Sequence, residues 1–155
     1  MQITVTIPTR ADIVHSTAFT ISVVPKDSPN KWSKDALGSY ADEQGVYVIH
    51  SNGQILYVGQ TTGGENTFNR RLLCHFRETS NPDKKKYEFF AKQTKPVHIY
   101  FLELADIDKL VDPGSMTLSA KKKALIMEQL LIGIYEPIGN PSSKKQTPTT
   151  DPTVP

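Results

Sequence analysis

Two short apolar runs, Gly45-Val46-Tyr47-Val48-Ile49-His50 and Ile55-Leu56-Tyr57-Val58-Gly59, flank Ser51-Asn52-Gly53-Gln54. Runs of this kind on either side of Asn-Gly predict a β-hairpin. Its register matters, because a slip of one residue turns every side chain to the other face. With Asn52-Gly53 alone as the loop, Ser51 pairs with Gln54, Tyr57 lies opposite Val48, and the two tyrosines face apart. With Ser51-Asn52-Gly53 as a three-residue loop and Gly53 left-handed, His50 pairs with Gln54. Tyr47 then lies across from Tyr57 and Gly45 across from Gly59. We expect this second register, with both phenols on one face.

Other segments follow either the strand or the helix period. Gln2 to Ile7 and Thr17 to Val24 alternate like half-buried strands, each stopped by a proline, and can pair as a long hairpin. A short helix is expected over Ser33 to Leu37. Thr67 caps a helix from Phe68 to about Glu78, whose stripe is Phe68, Leu72, Leu73 and Phe76. Arg71 and His75 stand four apart on its flank. Lys84 to Lys92 predicts a second short helix, and Ala105 to Val111 a helical turn or two. The nearly continuous apolar run Val97 to Leu102 suggests an interior strand buried on both faces.

The strongest helix signal runs from a cap at Thr117 or Ser119 to Tyr135, before Pro137. Ala124, Leu125, Leu131, Ile132 and Tyr135 fall on one broad face, with Glu128 in its middle. A buried carboxylate needs a partner, either an arginine or a metal ion. From Pro141 the chain is rich in Pro, Ser, Thr and Lys, which predicts a disordered tail. The pattern divides the chain into an N-terminal extension at 1–40, β-rich and packed on the core, a domain at 41–141, and a tail at 142–155.

Composition narrows the chemistry only a little. The chain has 155 residues, a formal net charge of +2 and one cysteine, Cys74. No internal disulfide is possible, and a reducing compartment is expected. No apolar stretch suits a membrane span and the N-terminus lacks the blocks of a signal peptide, so the expected location is cytoplasmic, with no membrane partner. Lysines cluster at Lys84-Lys85-Lys86, Lys121-Lys122-Lys123 and Lys144-Lys145, beside Arg70-Arg71. Such clusters are either solvated helix faces or phosphate-binding patches. Cys74 reads as a buried structural thiol. Paired-cysteine zinc spacing, a Walker loop and a nucleophile elbow are all missing from the sequence.

What remains is two tyrosines, an Arg-His pair, a helical carboxylate and an asparagine after a proline. Together they resemble the GIY-YIG nuclease family, whose two hairpin tripeptides are Gly45-Val46-Tyr47 and Tyr57-Val58-Gly59 here. Arg71-Leu72-Leu73-Cys74-His75 matches the family's first-helix arginine and following histidine. Glu128 matches its metal-binding glutamate, and Asn140, after Pro137, its closing asparagine. The likeness covers roughly residues 44 to 140, with valine replacing isoleucine in both tripeptides.

The resemblance implies an α+β fold, a small three-stranded mixed or antiparallel sheet flanked by helices, here with an N-terminal β extension. It also implies a DNA endonuclease with Tyr47, Tyr57, Arg71, His75, Glu128 and Asn140 in the catalytic site. Glu128 would hold one Mg2+ or Mn2+, and Arg71 would bind the scissile phosphate. The tyrosines jointly supply the general base, assisted by neutral His75, and Asn140 orients Glu128 or the site. Arg70, Arg71, Lys84, Lys85 and Lys86 are the expected DNA contacts. The alternative is a catalytically inactive nucleic-acid-binding or protein-interaction module on the same fold.

Overall fold

Asn52 and Gly53 both adopt positive φ, 51° and 79°, in the computed structural model of the chain. This is the primed two-residue turn that matches the twist of a hairpin. The structure describes residues 2–15, 21–23, 34–76, 84–93 and 95–140. Around the turn, β3 (Gly45–Ser51) pairs with β4 (Gln54–Gln60), and Ser51 pairs with Gln54. The expected three-residue loop is therefore wrong. The register instead shifts further along: His50 pairs with Ile55 but Ile49 with Tyr57, so Leu56 is an extra residue on β4. That bulge turns β4 over by one position. Tyr47 faces Gly59 rather than Tyr57, yet the two phenols still share a face, their ring centroids 6.0 Å apart.

The remaining elements are β1 (Thr4–Val5), α1 (Arg10–Val14), β2 (Ile21–Val23), a 3-10 segment at Lys34–Tyr40, α2 (Phe68–Phe76), α3 (Lys84–Ala91), β5 (Val97–Glu103), α4 (Leu104–Leu110), β6 (Val111–Asp112) and α5 (Ala120–Tyr135). Among the described residues, the main sheet is antiparallel with four strands in the order β2-β5-β3-β4. The fold is thus α+β, and the N-terminal extension adds the fourth strand. β1 and β2 do not pair with each other: β1 pairs with β6 and β2 with β5. A capping box in which Thr9 and Asp12 bond each other's backbone N–H starts α1 between them. The expected helix at Ser33–Leu37 is the 3-10 segment, interrupted at Gly38. The expected tail from Pro141 lies outside the described residues.

Both sheet faces are covered. On one, Tyr47, Ile49, Leu56, Tyr57, Ile99 and Phe101 pack against Phe68, Leu72 and Phe76 of α2 and Phe90 of α3. On the other, Val46, Val48, Ile55 and Val58 pack against Ile13 of α1, Ile107 of α4 and Ala124, Met127 and Leu131 of α5. The buried face of α5 is rotated from the expected one. Lys123 and Met127 are buried, whereas Leu125 is 44% exposed, so Glu128 lies half-buried at the flank instead of mid-face. The cause is α4, which packs along α5 and draws the Lys123 ammonium to Asp108 at 2.7 Å. Tyr135 at the far end donates to the Pro8 carbonyl at 2.6 Å. No helix among the described residues is long and apolar enough to cross a membrane.

Candidate active site

Tyr47 sits in the middle strand of the hairpin sheet and is fully buried. Its hydroxyl lies 2.6 Å from His75 Nε2. Arg71 and Tyr57 also act electrostatically on it. Thr67 accepts from the Arg70 N–H at 3.3 Å and so caps α2 as expected, and the helical period then aims Arg71 and His75 at the same phenol. Leu72, Phe68 and Phe76 hold that face of α2 against the sheet. His75 is as buried as Tyr47, deeper than a flank position suggests. Cys74, expected to be buried, is half-buried beside it.

Burial dominates the electrostatics. It pushes the Tyr47 phenol well above its usual range, aided by Tyr57, against the opposing pull of Arg71. The same burial, with the charges of Arg71 and Lys86, holds His75 well below the usual histidine range. At neutral pH the phenol is protonated and the imidazole neutral. His75 Nε2 can then accept the phenolic proton. His75 Nδ1 is buried with no hydrogen-bond partner among the described residues.

Tyr57 and His75 meet edge to face, centroids 5.1 Å apart, and the Lys86 ammonium lies 5.2 Å from the Tyr57 centroid. Lys86 thus joins the site itself, a role that its place in a lysine run did not signal. Arg70 and Lys85 are exposed beside it; Lys84 opens α3, and its side chain lies outside the described residues.

Glu128 arrives from the opposite layer. Its helix, α5, packs on β4, the edge strand, and the charges of Arg71 and Lys86 both reach its carboxylate. Burial nevertheless raises its pKa above the ordinary range. Gln129 Nε2 donates to it at 3.3 Å. The tyrosines and Glu128 therefore lie on opposite layers of the sheet, and the charge of Arg71 reaches both Tyr47 and Glu128. No group of three or more His, Cys, Asp or Glu among the described residues is placed to hold a metal ion. A lone carboxylate does not fit zinc, which wants three or four protein ligands. It does fit magnesium, which keeps several waters and takes one or two carboxylates plus substrate phosphate.

Asn140 does not orient Glu128 directly. Its Oδ1 accepts from the Val58 N–H and its Nδ2 donates to the Val58 carbonyl, both at 2.8 Å. Next to it, the Gly139 N–H donates to the Leu56 carbonyl at 2.8 Å. The turn after α5 therefore satisfies the open edge of β4 beside Tyr57. Comparison with family models, curated proteins and solved structures gave no match to this chain.

Proposed function

We propose that this protein is a metal-dependent endonuclease of the GIY-YIG kind, hydrolysing DNA phosphodiester bonds. The observation that carries this reading is the gathering of His75, Arg71 and Tyr57 around the Tyr47 hydroxyl, with the charge of Arg71 also reaching Glu128 on a separate helix. A purely structural role would leave these polar groups separately satisfied and apart. Bound at Glu128, a magnesium ion would neutralise charge on the phosphate and the leaving oxygen. Arg71 would grip the scissile phosphate with its planar fork. Tyr47, kept neutral, can take a proton from water on its oxygen while passing its own to His75 Nε2. Because His75 is held well below its usual range, it stays neutral into mildly acidic solution. Arg70 and Lys85 would extend the phosphate contacts on the exposed side.

The test is a cleavage assay with magnesium on duplex, nicked and branched DNA. Glu128→Ala should abolish cleavage while leaving the circular dichroism spectrum unchanged. Tyr47→Phe removes the relay and should lower kcat by roughly 10²–10⁴-fold. Full activity in Glu128→Ala would remove the metal assignment.

The full burial of Tyr47 and His75 favours one other reading, a nucleic-acid-binding module in which they serve as packing. DNA binding without cleavage of any of these substrates would select it.

A further inference from the structure

The face of α5 turned away from the sheet carries an apolar stripe. Ile126, Leu130, Gly133 and Ile134 are spaced i, i+4, i+7, i+8 and fall on one side. Leu130 is 37% exposed, Ile134 is 54% exposed, and Ile126 is half-buried. Gly133 is the informative member. A Cβ there would meet nothing, so no contact within the described fold asks for glycine. Glycine inside a helix is destabilising relative to alanine. A bare backbone at an exposed apolar stripe suits the close approach of something outside this chain.

We propose that this stripe is a self-association surface, on which a second copy packs its own α5 antiparallel. The sequence of the helix is self-complementary in that arrangement. With the two-fold axis between positions 129 and 130, Ile126 lies opposite Gly133 of the second copy and fills the space its missing side chain leaves. Leu130 meets Leu130 of the second copy near the axis. Lys122, in the first turn of α5, and Glu136, the residue that caps its C-terminus, are both exposed at opposite ends of the helix. Antiparallel packing brings the Lys122 end of each helix to the Glu136 end of the other copy, whereas parallel packing leaves Lys122 level with Lys122. Such a contact is isologous and closes as a dimer. One helix pair buries less than the roughly 1,200 Å2 of standard interfaces, so the dimer should be weak and concentration-dependent.

Sedimentation velocity on the full chain over a wide concentration range tests this. The expected result is a rise with concentration from 17.3 kDa toward twice that mass. Leu130→Glu should shift the midpoint by at least roughly 10-fold to higher concentration. Gly133→Ala should weaken association while raising the melting temperature of the monomer, a pairing of effects that no fold defect produces. Lys122→Glu and Glu136→Lys should each weaken the dimer, and the double variant should restore it. A mass of 17.3 kDa at every concentration overturns the proposal and points to residues 141–155 or another protein as the cover. A dimer indifferent to Leu130→Glu overturns it equally.

Discussion

Gly59 stands directly across the hairpin from Tyr47, and a Cβ built there would collide with the Tyr47 hydroxyl and crowd the Tyr57 ring. The phenol can reach His75 only because that position has no side chain. Gly59→Ala should therefore displace Tyr47, destabilise the fold by about 1–3 kcal/mol, and weaken the contact with His75. A urea melt gives the first effect and the tyrosine absorption spectrum the second; wild-type values in both would show that the strand yields easily. Gly45 has a matching constraint against the Leu102 carbonyl. The glycines that border the two tyrosines in sequence are thus packing necessities as much as motif letters. Residue identities exposed this much of the site, but not the depth of His75 or the place of Lys86 over Tyr57. Those depend on how α2 and α3 fold back onto the sheet, which no local spacing records.

At the scale of elements, the period of the sequence located nearly every helix and strand of the core, because their apolar stripes are regular. Register was harder. Asn52-Gly53 gives the tightest hairpin turn, and the alternation between Val46 and Val58 alone cannot reveal that Leu56 is inserted as a bulge. The shared face of the tyrosines was legible; the device that creates it was not. The N-terminal strands were legible as strands but not in their partners, since pairing with β5 and β6 depends on chain folding far away in sequence. The turn after α5 acts on β4 through paired amide bonds. Asn140→Ala removes both Val58 bonds and should cost about 1–3 kcal/mol, because the strand's buried groups are left unmet. A smaller loss on chemical denaturation would mean that water replaces the amide. Asn140→Asp, which can accept but not donate, should fall between the wild type and alanine at neutral pH.

Across the whole molecule, buried histidines set the acid limit. His50 is 2% exposed, stacked on His98 across the β3–β5 ladder, and burial with His98 and His15 lowers it to about 4. An unfolded histidine titrates near 6.5. The native state therefore binds fewer protons than the unfolded chain below that value. The stability that His50 contributes is complete above pH 6.5 and is lost as pH falls toward 4, by about 1.4 kcal/mol per unit. His75 adds to the slope, while Glu128 and Glu103, raised by burial, oppose it. The urea midpoint should drop steadily below pH 6.5, and His50→Gln should flatten that drop. An unchanged profile in the variant would assign the acid sensitivity elsewhere.

The amide of Asn140 also bears on colloidal behaviour. Among the described residues β4 ends the sheet, and an uncovered edge strand is a template on which other chains can add strands. Asn140 and Gly139 occupy the outward-facing groups of Val58 and Leu56, so they work as a blunt end as well as a brace. A version cut before Gly139 would keep the hairpin, the phenols and Glu128 and still present a sticky border. The shortest useful fragment of this protein is thus set by solubility before it is set by chemistry.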